Sequence, residues 1–370
     1  MNNTIEQPSA YPAVGTAQYL DANKLEESAH EAAAAFVAAG TAANTARSYK
    51  SALSYLSGWL QLRYGHVLSD GPLTEDVVVQ FIVDHLARPG SDGMKPPLLP
   101  LDIDRGLVKA GVKARLGHLS FNTVTHRLAV LAKWHQLKGW DSPTDLPAVR
   151  TLLRQARKAQ SRQGIAVRKK TALVLEGLQA MLATCTDGVR GIRDQALLLL
   201  AWSGGGRRRS EVVGLKIEDL RRLDPETWLY ALGATKTDTA GVRREKPIRG
   251  EAARALSAWL EVLSETTGPL FRRVYKSGLV GDHELTAEQV SRIVKRRAAL
   301  AGLAGDWGGH SLRSGFVTEA GRQGVPLGDV MALTEHRSVT TVMGYFQAGS
   351  LLNSHASDLL RGVDKRREEQ

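Results

Sequence analysis

The chain has 370 residues, 43% of them hydrophobic, which is enough for two domains with their own cores and excludes a mainly disordered polypeptide. Its formal net charge of +11 favours a polyanionic partner, because each Lys or Arg that neutralises a phosphate releases counterions. No apolar run approaches the ~20 residues of a membrane span, the polar start lacks a secretory leader, and the lone Cys185 excludes an internal disulfide or a cysteine metal cluster, so a reducing, cytoplasmic setting is expected.

Residues 1–22 read as a flexible tail, and a helical pattern runs from 23 to 160. Asn44 or Thr45 can cap a helix whose apolar side is Tyr49, Leu53, Leu56 and Leu60. Thr74 can cap a second, with Val77, Val78, Phe81, Ile82 and Leu86 inside. Ser120 opens a third, with Val124, Leu128, Leu131 and Leu137 on one face and Gly139 as a stop. A fourth sets Val149, Leu152 and Leu153 beside Arg150, Arg154, Arg157 and Lys158, a basic face suited to phosphates. Arg47, Lys50 and Arg127 join Arg154, Arg157 and Lys158 as candidate contacts to a nucleic acid. Between the second and third helices, 87–119 reads as a long, Pro- and Gly-containing mobile loop on the nucleic-acid side.

The polar, basic stretch 161–170 reads as a linker, which leaves 171–370 as a second domain. It opens with helices around Val174–Leu182 and Ile192–Trp202. Thr227–Ala234 and Val242–Ile248 form an expected β-hairpin with its tip near Asp238–Gly241, and helices follow. Gly204-Gly205-Gly206 lacks a following lysine and reads as a turn after a helix rather than a nucleotide loop.

The chemistry is concentrated near the C-terminus. His310 and Arg313 stand three apart, so on a helix they share one face and can reach one phosphate. His336 and Tyr345 follow, and Arg208 lies about a hundred residues upstream. Arginine suits phosphate oxygens because its planar fork donates two parallel hydrogen bonds and stays charged. Histidine can move a proton near neutral pH, and a tyrosine can attack phosphorus and conserve the bond energy in a covalent adduct. Each residue taken alone is a weak signal. Their joint occurrence points to phosphodiester transfer without a metal or nucleotide cofactor.

These residues resemble the hallmarks of the tyrosine recombinase (phage integrase) family: Arg208-Arg209-Ser210-Glu211, His310-Ser311-Leu312-Arg313, His336 and, nine residues on, Tyr345. The layout is most similar to that of the Cre-like, two-domain members. The resemblance implies a mainly α fold with a small antiparallel sheet in the catalytic domain, made of an N-terminal helical core-binding (SAM-like) domain and a C-terminal catalytic domain. It implies site-specific cutting and rejoining of DNA through a 3′-phosphotyrosyl intermediate and a Holliday junction, for integration, excision or resolution of mobile DNA. The implied partners are duplex DNA with an inverted-repeat core site and further copies of the chain, in a tetramer on DNA, and the resemblance implies a bacterial or phage-encoded, nucleoid-associated protein.

Residue by residue, the resemblance makes Tyr345 the nucleophile. Arg208 and Arg313 become the phosphate clamp, with Glu211 as a buttress. Lys236, in Thr235-Lys236-Thr237, becomes the acid for the leaving hydroxyl, and Lys246 on the returning strand is its competitor. His310 assists the proton at the nucleophile, and His336 bonds the phosphate. Leu351, Leu352, Ala356, Leu359 and Leu360 form a helical pattern that would dock into a neighbouring protomer. Three features depart from the family pattern: Glu335 stands where Gly is usual, the Arg207-Arg208-Arg209 triplet is unusually basic where an apolar residue often sits beside the catalytic arginine, and 87–119 has no counterpart in a minimal core-binding domain. A type IB topoisomerase or telomere resolvase is the rival within the same chemistry, and a catalytically silent DNA-binding regulator is the rival outside it.

Overall fold

The computed structural model describes residues 40–90, 93–163, 169–232, 245–336 and 338–350. The expected 1–22 tail, the hairpin tip 238–241 and the apolar pattern 351–360 lie outside them, as does Lys236. The chain divides into two compact units, Met1–Ala166 and Val167–Gln370. No helix among the described residues is long and apolar enough to cross a membrane.

The first unit is helical. Helix α1 (Ala43–Tyr64) buries Tyr55, Leu56, Trp59 and Leu60 against α2 (Glu75–His85), which contributes Val78, Phe81 and Ile82. Its cap is Ala42, with no side-chain cap bond, so neither Asn44 nor Thr45 plays that part. Thr74 stands at the N-cap of α2 but its side chain makes no cap bond.

The described residues of the 87–119 stretch are folded rather than a mobile loop. They form an antiparallel hairpin, β1 (Arg88–Gly90) with β2 (Gly93–Lys95), then α3 (Leu101–Lys109), which sends Ile103 and Leu107 into the core. Backbone N–H groups of Leu98, Leu99 and Leu119 donate to carbonyls of Val83, Asp84 and His85, and Lys113 is buried in an ion pair with Asp104.

Ser120 caps α4 (Phe121–Leu137) through its hydroxyl, which accepts from the Thr123 N–H at 3.2 Å, and Gly139 follows the helix with φ +70°. Helix α5 (Pro147–Arg162) buries Val149 and leaves its basic face outside.

In the second unit, α6 (Leu175–Ala183) precedes α7 (Val189–Ser203), whose Leu197–Leu200 run is buried on all sides. A helix apolar all round belongs in the centre of a core. It packs with Tyr230, Ile248 and Trp259 in one cluster. After the short α8 (Arg209–Val213) comes a three-stranded antiparallel sheet of β3 (Leu220–Asp224), β4 (Thr227–Ala231) and β5 (Glu245–Arg249). Two strands of it match the expected hairpin, and β3 adds a third. Helix α9 (Glu251–Leu263) follows, then a second small hairpin, β6 (Arg272–Val274) with β7 (Val280–Glu284). Helices α10 (Ala287–Leu300), α11 (Gly309–Arg322), α12 (Leu327–Thr334) and α13 (Val339–Ser350) close the described chain.

Candidate active site

The site is built where four chain segments of the second unit meet. Helix α7 ends in Gly204–Gly206, where Gly205 has φ +98° and Gly206 φ +61°. A Cβ on Gly206 would lie 2.8 Å from the Arg313 Cα, and one on Gly205 would lie 2.6 Å from the Leu333 carbonyl oxygen. Glycine is therefore required twice, for backbone conformation and for close approach. The turn carries the arginine triplet directly against α11 and α12.

The three arginines take three different places. Arg207 is fully buried and donates to the carbonyls of Gly205 and Leu333. Arg209 is exposed and donates to Ser291 Oγ at 3.2 Å. Arg208 is the N-cap of α8, half-buried, with its guanidinium on Glu211 and its backbone N–H 3.0 Å from the same carboxylate. Glu211 thus ties the cap and the side chain together.

Arg313 is buried on α11 and uses three nitrogens inside the protein. Nη1 donates to Gly206 O at 3.0 Å, Nη2 to Thr334 O at 2.7 Å, and Nε to His336 Nε2 at 3.1 Å. Two of its five N–H groups have no partner among the described residues. Because Nε2 of His336 accepts, its proton sits on Nδ1 and is donated to Thr334 Oγ1 at 2.6 Å. Burial is the main cause that lowers the His336 pKa to about 4, and Arg313, Arg208, Arg207 and His310 lower it further.

Glu335 is the C-cap of α12 with φ +58°, and its carboxylate is 3.6 Å from Lys246 Nζ. Lys246 also donates to the Ala332 carbonyl at 2.8 Å, so its ammonium is engaged at α12.

His310 stands at the open start of α11, its pKa lowered by burial, then by Arg313 and Arg208. Its Nε2 is 3.3 Å from the Tyr345 hydroxyl on α13, and the two rings meet edge to face at 5.9 Å. The Lys169 ammonium lies 5.2 Å from the Tyr345 ring centroid. Sequence reading passed over Lys169 as part of a linker, and only its basic neighbours hinted at a role. Of the six candidate site residues, Arg208, His310, Arg313, His336 and Tyr345 gather here, and Lys236 lies outside the described residues.

On the first unit, Arg47, Lys50, Arg154, Arg157 and Lys158 are exposed. Arg127 differs: its guanidinium sits 3.2 Å from the centroid of the Tyr55 ring, and burial lowers its pKa. Burial also raises the Tyr55 pKa to about 12. Arg127 is an internal cation–π partner rather than a free cation.

Residues 172–350 match the phage integrase family. An integrase/recombinase xerD homolog of Selenomonas ruminantium is 29% identical over 323 residues, covering 85% of this chain and 84% of the relative. The recombinase cre of Escherichia phage P1 is 28% identical over 249 residues, covering 62% of this chain and 71% of the relative. Among solved structures, the Tn1549 transposon integrase in complex with transposon right end DNA superposes with TM-score 0.54 at 16% identity, covering 89% of this chain and 97% of that one. A lambda integrase dimer bound to a core site gives TM-score 0.51 at 15% identity, covering 86% and 94%. At these identities the two structures show a shared fold. The second unit carries a phage integrase domain, and this match together with the recombinase relatives supports the reaction class of a tyrosine site-specific recombinase.

Proposed function

We propose that this chain binds duplex DNA and that Tyr345 attacks a scissile phosphate to form a 3′-phosphotyrosyl bond. Arg208 and Arg313 hold the non-bridging oxygens, and Glu211 keeps Arg208 in place. His336, once the bound phosphate favours its cationic form, donates from Nε2 to one of those oxygens instead of accepting from Arg313. His310 takes the phenol proton, and Lys236 protonates the leaving 5′-hydroxyl. The free 5′-hydroxyl of a partner strand then reverses the step, so rejoining needs no nucleotide and the proposed chemistry uses no metal. The observation that carries this reading is the Tyr345 hydroxyl 3.3 Å from His310, one helical turn before the Arg313 guanidinium.

In this reading the first unit is the core-binding domain, with Arg47, Lys50, Arg154, Arg157 and Lys158 against phosphates. Four protomers pair two inverted-repeat core sites and pass through a Holliday junction on DNA in the cytoplasm or nucleoid. The test selects a bound duplex from a randomised pool with the full chain, nicks it near the centre, and seeks a covalent adduct on a denaturing gel. Peptide mapping should place the DNA on Tyr345. Binding without any adduct would favour the silent regulator, and relaxation of supercoils without strand exchange would favour the topoisomerase.

Proton linkage gives a second expectation. Both histidines are held below their ordinary pKa and are neutral at pH 7. A phosphate between the arginines adds negative charge beside them and favours their cationic forms. DNA binding near pH 6 should therefore take up protons, read by calorimetry in buffers of different ionisation enthalpy, and affinity should rise as pH falls from 7 to 6. Uptake that persists unchanged in a His310→Gln, His336→Gln double variant would detach the effect from this site.

A further inference from the structure

The last three carbonyls of α12 are each held by a cation. Lys246 donates to Ala332, Arg207 to Leu333 and Arg313 to Thr334. Only Arg313 among them belongs to the proposed phosphate clamp. Cations at a helix C-terminus are favoured by its unpaired carbonyls and its dipole, but three on one two-turn helix need a further reason.

The residue that follows is Glu335, whose left-handed backbone is one that side-chain-bearing residues rarely adopt. Its carboxylate meets Lys246 where both side chains are largely shielded, 16% and 12% exposed. Lys246 is an inward-facing residue of β5, two positions before the buried Ile248. Its cross-strand partner is Tyr230, whose hydroxyl donates to the Gly204 carbonyl at 2.5 Å. One strand pair thus braces both the glycine turn that bears Arg208 and the helix end that bears His336.

Arg207 is an expensive residue for its place. Its Nε and Nη1 are buried without a hydrogen-bond partner among the described residues. An apolar side chain would avoid that desolvation. What the arginine adds is a bond to Leu333 and a charge 3.8 Å from Glu211.

We infer that Lys246, Glu335 and Arg207 are positioning residues that lock the end of α12, and so fix where His336 and Arg313 meet the scissile phosphate. The inference rests on the recombinase reading. It makes Lys246 a brace rather than the acid of the leaving group. In the cleavage step the Tyr345 oxygen bonds to phosphorus, the bond from phosphorus to the bridging 5′ oxygen breaks, and that oxygen needs a proton. With sulfur in place of the bridging oxygen, the thiolate leaves unprotonated and the acid becomes dispensable.

The experiment compares wild type, Lys246→Met, Lys246→Arg and Lys236→Ala on the selected nicked duplex with bridging oxygen or sulfur. Single-turnover cleavage and DNA affinity are measured side by side. Lys246→Met should bind DNA as wild type does yet cleave both substrates on the order of 10–100-fold more slowly, as for a displaced site. Lys246→Arg should recover most of that loss, and Lys236→Ala should be slow on oxygen and restored on sulfur. Restoration of Lys246→Met by sulfur would make it the acid and overturn the inference. Wild-type cleavage by Lys246→Met, or joint loss of its DNA binding and thermal transition, would also overturn it. Failure of wild type to form any adduct, with DNA binding intact, would instead strike the recombinase reading and the inference with it.

Discussion

Tyr345→Phe should bind the selected duplex with wild-type affinity and form no covalent adduct. The substitution removes one oxygen, whose contact to His310 is a long 3.3 Å. The ring itself packs against the small cluster of Val317, Ala320, Val330 and Val342, which phenylalanine preserves. The thermal midpoint should therefore hardly move while the chemistry vanishes. Tyr230 cannot take over, because it is buried and its hydroxyl is spent on Gly204. Gel-shift affinity and denaturing-gel trapping on the same sample separate the two effects. An adduct that survives in the variant would move the nucleophile elsewhere.

Arg208→Ala should retain DNA binding and lose cleavage by about 10²–10³-fold, the usual effect of removing one donor that stabilises transition-state charge. Arg208→Lys should recover little, because an ammonium lacks the planar fork that meets two phosphate oxygens at once. Arg209→Ala should cleave nearly as well as wild type, since that side chain points to Ser291. Single-turnover cleavage of the three variants checks the register. A dependence on Arg209 rather than Arg208 would shift the clamp by one residue and leave the Glu211 contact without a catalytic purpose.

The site was legible where its logic is short-range. His310 and Arg313 are three residues apart on a real helix, and the Arg208–Glu211 contact also spans one turn. Pairings that depend on the tertiary fold were hidden. Nothing in the run Lys246-Pro247-Ile248 announces that its lysine meets Glu335, and the Arg207–Leu333 bond exists only because two glycines let α7 and α12 approach. The helical unit was readable from apolar periodicity, but the stacking of Arg127 on Tyr55 was not, because its position on α4 looks like a solvent face. The 87–119 stretch looked like a loop because Pro and Gly dominate its first half. Its order comes from backbone bonds to α2 and from Leu107, which composition does not reveal. Strand β3 escaped notice because four of its five residues are exposed, leaving no alternation to read.

The packing of α13 on α11 sets a mechanical tolerance for the reaction. A Cβ on Gly349 would lie 1.9 Å from the Thr318 carbonyl oxygen, and one on Gly321 2.3 Å from that of Phe346. Here the two helices touch backbone to backbone, with no side chain between them to give way. A methyl group at either point would lever α13 outward by about 1 Å or more to restore an ordinary carbon–oxygen contact. Tyr345 lies about one turn from Gly349 and adjoins Phe346, so its hydroxyl would travel with the lever. Two hydrogens in place of two methyl groups thus set the alignment of the attacking oxygen, and the smallest residues in this part of the chain act as its gauge blocks.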